Sequence, residues 1–340
     1  MAAGLVVPRI AVGVHHSGRV LDPVSGPDRP RHGATRSARG SGPGRVLNAT
    51  FGNAAELIIA IVALGRGHVA LVKASITGSI IGNLLLVLGL SFFVGGLGRR
   101  AQKFHRTSAT NTSALLFLGV VALVMPAVFD LSLYGNLSAR PLAIDRLSFW
   151  SALILIGAYA GSLIYAFTVQ RDLFRPTKEG RHEHAFPIGA AVTVLAAGTV
   201  LTTIQAELLV GAMGPALARF GFSELFVGVI VVALIGNAAE HYSAVSAARQ
   251  DEMTLAVEIA VGSSAQIALF VAPALVLYSF AMGHPMSLLF NAFEIAAIAL
   301  SVLATCIVVV DGESNWVEGL QLLSVYLILA LAFYFVPHVG

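Results

Sequence analysis

"NATFGNAAELIIAIVAL", Asn48 to Leu64, is apolar enough to lie in lipid, yet Glu56 sits in its middle. An ionised carboxylate in hydrocarbon costs several kcal/mol, so one without a task is rare. Far downstream, "VALIGNAAEHYSAVSAA", Val232 to Ala248, repeats Gly-Asn-Ala-Ala-Glu inside another apolar segment. Gly52, Asn53, Ala54, Ala55 and Glu56 match Gly236, Asn237, Ala238, Ala239 and Glu240 at an offset of 184. At the same offset, Gly78-Ser79 in "ITGSIIGNLLLVLG" matches Gly262-Ser263 in "AVGSSAQIALFVAP". Two motifs held in one register over a helical hairpin identify an internal duplication.

The composition sets the environment of that hairpin. Of 340 residues, 56% are hydrophobic and 11% charged, and mean hydropathy is +0.82. A soluble domain carries about 25% charged residues, so this chain reads as an all-α polytopic membrane protein. The formal charge of +3 is small, and the basic residues fall between apolar runs. That suits lipid headgroups and excludes nucleic acid as a partner. The lone cysteine, Cys306, rules out an internal disulfide and reads as a packing residue.

Residues 1–45 hold seven Arg, eight Gly and five Pro, and no long apolar run. They read as a disordered basic tail, and Pro8 and Arg9 interrupt the only stretch that resembles a signal peptide. Nine segments follow that are long enough to span, given about 20 residues per crossing. They are 46–64, 69–96, 112–130, 147–169, 187–210, 223–248, 253–281, 288–310 and 317–337. Alternate loops hold Arg45, Arg99, Arg100, Lys103, Arg106, Arg171, Arg175, Lys178, Arg181 and Arg249. The other set holds Arg66, Arg140, Arg146 and Arg219. The richer set is expected on the cytoplasmic side, with the N-terminus. The first and sixth spans then cross in opposite directions, so the two hairpins are inverted copies. Inverted repeats with weakened helices at the midplane are a plan of secondary transporters, with the ion site between them. The expected division is an incomplete first repeat over 46–169, a cytoplasmic linker over 170–186 and a second repeat over 187–340.

The chemistry follows from residue types. Asn and Glu, three apart, share one helix face, and the adjoining glycine weakens the helix or admits a close neighbour. The Gly-Ser pairs are followed by Asn83 in one copy and Gln266 in the other. Folded together, two carboxylates meet hydroxyl and amide oxygens, without an imidazole–thiolate cluster. Such ligands suit a hard cation, and calcium takes about 6–8 oxygens. Two Glu charges balance one divalent ion, so Glu56 and Glu240 are the expected metal ligands. Without the cation, two buried carboxylates repel and are desolvated, and protonation removes that charge. Cation and protons compete for the same oxygens, which is the minimum machinery of an antiporter. No cofactor is expected beyond Ca2+ and H+ as transported ions, and manganese or another divalent ion fits the same oxygens.

At these residues the sequence resembles the calcium/proton exchanger (cation/H+ antiporter) family of the calcium/cation antiporter superfamily. "LNATFGNAAELIIAIVAL" with "ASITGSIIGNLLLVLGL" resembles its first signature hairpin. "ELFVGVIVVALIGNAAEHYSAVSAA" with "GSSAQIALFVAP" resembles the second, and "DGESNWVEG" at 311–319 a late loop. The resemblance covers about residues 46–340. It implies an inverted-repeat cation/calcium exchanger fold of two five-helix repeats preceded by one extra helix. It further implies that Glu56 and Glu240 are the paired cation- and proton-binding carboxylates, with Asn53 and Asn237 beside them. Ser79, Asn83, Ser263, Ser264 and Gln266 are the supporting ligands, and Glu207 lies on a possible ion pathway. The membrane is the plasma (inner) membrane in a prokaryote, or a vacuolar or other internal membrane in a eukaryote.

Blander readings stand beside these. Asn53, Asn237 and the serines also suit plain hydrogen bonding and close packing between helices. Glu258 and Glu294 fall near helix ends or pair elsewhere and are left out of the site, and "HEH" at 182–184 reads as a solvated loop. A metalloprotease lacks H-E-x-x-H, since "AEHYS" at 239–243 reverses the order. A passive channel fits inverted carboxylate helices poorly. Sodium-coupled calcium exchange and a truncated, inactive remnant remain as alternatives.

Against that family plan, the extra helix and the first helix of repeat one have no counterpart here, and the basic tail stands in their place. Glu56 is therefore expected beside lipid or an open groove, with its helix partly uncovered. DNA upstream of Met1, read in all frames, is expected to encode an apolar segment ending in an acidic helix, and sequencing that DNA tests it.

Overall fold

A computed structural model describes residues 52–135, 142–168 and 188–336. The basic tail of 1–45 and the linker of 170–186 lie outside the described residues. The helices are α1 (Ala54–Gly65), α2 (Val69–Gly96), α3 (Arg106–Tyr134), α4 (Leu142–Thr168) and α5 (Ile188–Phe220). There follow α6 (Glu224–Gly236), α7 (Ala238–Arg249), α8 (Met253–Ala281), α9 (Ala292–Val308) and α10 (Trp316–Tyr334). Six of these, α2, α3, α4, α5, α8 and α10, are long and apolar enough to cross a membrane. Helices α6 and α7 meet the same criterion only as a pair, bent by 59° at Asn237, and α1 and α9 are shorter apolar helices. Boundaries shift in two places. Helix α3 starts at Arg106 rather than 112 because the polar stretch 106–111 stays helical, and α5 runs on to Phe220 rather than 210 through Gly211, Gly214 and Pro215.

Contacts between loops sort them onto two sides. Strands β1 (Gln102–Lys103) and β2 (Glu313–Ser314) pair antiparallel, with Gln102 opposite Ser314. Gln102 Nε2 also donates to Ala248 O and to Asp251 Oδ1, 3.0 and 2.7 Å away. Three basic or polar connections thus share one side. On the other, His68 Nδ1 lies 3.4 Å from Glu224 Oε1, and Leu288 N donates to Ser148 Oγ. This grouping is the one strict alternation requires. Helices α1 and α7 consequently run in opposite directions.

Two helices form the centre. The apolar windows of α2 and α8 are 78% and 67% buried by protein, against 17% for α5 and 22% for α4. The outer helices instead present Phe117, Trp150, Leu208 and Ile328 to the surroundings, as lipid-facing surfaces should. Both central helices contain a wide π-helical stretch, Gly82–Val87 in α2 and Ile267–Val271 in α8. A third, Val227–Val232, lies in α6. Such turns are common at functional sites.

Lipid gives apolar helices no hydrophobic reason to associate, so close packing over small residues has to hold them. Gly319 of α10 shows this. A Cβ there would lie 2.2 Å from Phe93 N and 2.7 Å from Gly89 O of α2. Gly78 of α2 is equally committed, because a Cβ would lie 2.0 Å from Val229 O of α6. That pair joins the two signature hairpins. Its counterpart Gly262 has nothing within 4 Å of a built Cβ among the described residues. Gly78→Ala is therefore expected to lower the thermal midpoint of the detergent-solubilised protein, through overpacking of about 1–3 kcal/mol. Gly262→Ala should leave it near wild type in the same melt.

Candidate functional site

The second signature helix breaks at Asn237, between α6 and α7, and α1 begins just after Asn53. Asn53 (φ −99°, ψ 30°) and Asn237 (φ −94°, ψ 15°) adopt nearly the same bridge conformation ahead of their helices. Each places the following glutamate in the first turn of a helix, Glu56 in α1 and Glu240 in α7. The Asn-x-x-Glu spacing is that of a capping box. Neither asparagine caps its helix with its side chain. Both are only 2% exposed, and both reach across to the other hairpin.

Asn53 Nδ2 donates to Gln266 Oε1 of α8 at 2.6 Å. Asn237 Oδ1 accepts from Asn83 Nδ2 of α2 at 3.1 Å. Asn237 Nδ2 donates to Ser79 Oγ at 2.9 Å and to Ala233 O at 2.7 Å. The pattern has approximate twofold character, since each break asparagine bonds an amide on the opposite central helix. Ser264 Oγ donates to Ile80 O at 3.3 Å, 184 residues away, and also lies against Ala260 O at 3.1 Å. The register of the duplication is thus the register of contact between α2 and α8. Ser264 spends its hydroxyl on backbone, in keeping with a packing role. Ser263, half-buried, stands outside this network among the described residues.

Both carboxylate oxygens of Glu56 are buried without a hydrogen-bond partner. They face a small pocket lined with Ser75, Ser79, Ala233, Gly236 and Ile267. This corrects the expectation of an open groove at the carboxylate. The end of α6 closes over it, a Cβ on Gly236 standing 3.7 Å from Glu56 Cγ. The helix itself is half-buried from Ala54 to Ile58, so its partial uncovering does hold. Glu240 is half-buried and within electrostatic reach of Glu56. The arrangement therefore offers two carboxylates with amide and hydroxyl oxygens nearby. Among the described residues no three His, Cys, Asp or Glu side chains cluster as a metal site.

Other intramembrane charges are accounted for differently. Glu207 of α5 forms an ion pair with Arg66 at the end of α1, both partly exposed. Glu258 accepts from Ser108 Oγ at 3.2 Å, near the basic-loop side. Glu294 is 3% exposed and accepts from Thr77 Oγ1. Sequence reasoning missed two groups here. His241, next to Glu240, has a buried Nε2 without a partner and lines a second small pocket with Asn237, Gly82 and Tyr326. Lys73, inside the apolar run of α2, donates to Leu289 O at 2.7 Å. Adjacency in "AEHYS" and a lysine four residues before Thr77 were the available signals.

The chain is similar to known proteins over most of its length. Residues 41–168 and 190–335 match the family described as sodium/calcium exchanger protein. A Ca(2+)/H(+) antiporter of Synechocystis sp. is 40% identical over 88% of this chain and 84% of its own. The Bacillus subtilis protein named Ca(2+)/H(+) antiporter ChaA is 44% identical over 86% of this chain and 83% of its own. The solved structure of native YfkE superposes with a TM-score of 0.75 at 42% identity, over 87% of this chain and 84% of that one.

The cross-hairpin amides make a direct forecast. Asn237→Ala strands Asn83 and Ser79 in a dry interior, at about 1–3 kcal/mol for a buried group left unpaired. A lowered thermal midpoint in detergent is the expected reading, with a smaller drop for Ser263→Ala.

Proposed function

The chain belongs to the sodium/calcium exchanger protein family, and we propose that it is a secondary antiporter exchanging Ca2+, or a related divalent cation, for H+. It is an integral membrane transporter and not an enzyme. The observation that carries the reading is the buried, unpartnered Glu56 carboxylate, facing Glu240 from an oppositely directed half-helix. Asp130 of α3 also has two buried oxygens without partners, so burial alone does not define the site. What sets Glu56 apart in this reading is the second carboxylate, Glu240, together with the amides and hydroxyl of Asn53, Asn237, Asn83, Gln266 and Ser79 that the two hairpins bring together.

The exchange follows from electrostatics. A bound divalent cation neutralises the two carboxylates, while the amide and hydroxyl oxygens complete its shell. When it leaves, two charges in a water-poor pocket repel and lack solvation, so protons take its place. Empty and charged is the costly state, and the transporter avoids it by carrying one ion or the other. The two half-helices lead from the site toward opposite sides, which suits access alternating between them. In this proposal 46–169 and 187–340 form the inverted repeats, and the basic loops with the N-terminus face the cytoplasm.

The relatives at 40% and 44% identity are named for calcium and proton exchange, which favours protons over sodium as the coupling ion. Uptake of calcium into proteoliposomes driven only by a pH gradient tests this, and an absolute need for sodium overturns it. Glu56→Gln and Glu240→Gln are each expected to abolish that uptake while the protein remains monodisperse in detergent. Near-normal uptake by either variant would remove that residue from the site. The pH dependence has a definite sign. Protons occupy the same oxygens, so apparent calcium affinity falls as pH falls and levels off once the site is deprotonated. A flat affinity from mildly acidic to alkaline pH is the opposing result.

A further inference from the structure

Behind the site, on the face of α2 turned away from Glu56, lies a second buried carboxylate with its own machinery. Glu294 stands in the first turn of α9 and completes a capping box with Asn291. Asn291 N donates to its Oε2 at 3.1 Å. A cap needs no more than this. Glu318 of α10 makes the same box with Asn315 and remains half-buried near the membrane surface. Glu294 differs in two respects. It is 3% exposed, and its other oxygen accepts a hydrogen bond from Thr77 Oγ1 of α2 at 3.2 Å. Thr77 is itself wholly buried.

One turn earlier on the same face, Lys73 supplies the opposing charge within reach of Glu294. Its ammonium also donates to Leu289 O at 2.7 Å and to Ser287 Oγ at 3.4 Å in the connection before α9. An uncompensated carboxylate here would be costly. The lysine charge offsets part of that cost from within the protein.

The geometry connects this anchor to the site. Residues two apart on a helix point about 200° away from each other. Thr77 faces α9, so Ser79 faces the other way, toward Asn237 and the Glu56 pocket. Gly78 between them sits against Val229 of α6 with no room for a Cβ. A helix held on both faces at one turn has its rotation and depth set.

We propose that Glu294 is a positioning residue for the cation site: with Lys73 and Thr77 it fixes α2 from behind, so that Ser79 meets Asn237 and the Glu56 pocket in register. The proposal rests on the Glu56–Glu240 site described above. It assigns to Glu294 no contact with the ion.

The test uses calcium uptake into proteoliposomes under a pH gradient, with rates normalised to monodisperse protein. Thr77→Val preserves shape and removes only the donor, whereas Thr77→Ser keeps it. Thr77→Val is expected to raise half-saturating calcium about tenfold, as loss of an outer support does at metal sites, with its maximal rate retained. Thr77→Ser should restore the wild-type value, and Glu294→Gln should shift half-saturation in the same direction as Thr77→Val. An unchanged half-saturation in Thr77→Val overturns the proposal. So does a change confined to maximal rate or to the yield of folded protein, or a Thr77→Ser variant as impaired as Thr77→Val. Glu56→Gln run in parallel separates the premises. If it transports normally the site assignment fails, whereas a dead Glu56→Gln beside an unaltered Thr77→Val condemns the positioning role alone.

Discussion

Lipid offers no hydrogen-bond partner, so a helix interrupted at membrane depth survives only if other protein groups take over its freed polar atoms. Asn237 is where this fold meets that constraint. Its amide serves Ala233 O of its own helix, Ser79 and Asn83 together, and Asn53 does a smaller version of the same work with Gln266. These bonds allow α6 and α7 to meet at 59° instead of continuing straight. They also hold the two hairpins face to face, because each asparagine finds its partner in the other copy. The close approach at Gly78 is the steric condition for that contact. Without it, the amides could not reach.

Several carboxylates within the apolar helices have fixed partners. Glu207 has Arg66, Glu294 has Lys73 and Thr77, and Glu258 has Ser108. Glu56 has no such partner and lies opposite a second carboxylate. A buried carboxylate without a donor carries a desolvation cost that nothing in its surroundings offsets. A mobile cation or a proton offsets it in turn, and that alternation is the proposed transport cycle. The partnered carboxylates are fixed parts of the frame, tying the end of α1 to α5, α2 to α9 and α3 to α8.

The repeat made much of this legible in one dimension. A five-residue motif and a Gly-Ser pair at a common offset of 184 gave the hairpins, their inversion and the two glutamates. Hydropathy gave the apolar segments, within the shifts noted for α3 and α5. Other features were hidden because they join residues far apart in the chain. Lys73 reads as an anomaly in an apolar run until Glu294, 221 residues later, stands beside it. Glu207 reads as an isolated carboxylate in an apolar run until Arg66 is found across from it. His241 was visible only as a neighbour of Glu240, and its burial depends on how α2, α6 and α10 surround it.

Asn-x-x-Glu occurs four times at helix starts, as Asn53–Glu56, Asn237–Glu240, Asn291–Glu294 and Asn315–Glu318. By itself the sequence determined that each could begin a helix, since the spacing lets asparagine and glutamate satisfy one another's backbone donors. It also determined, through duplication, that the first two are equivalent. Only the tertiary structure decided which would act as caps. At Asn291 and Asn315 both boxes close. At Asn53 and Asn237 the other hairpin brings Gln266, Asn83 and Ser79 within bonding distance, so the asparagines turn outward. The asparagine side chains go to those partners, and Glu56 is left buried with both oxygens unbonded.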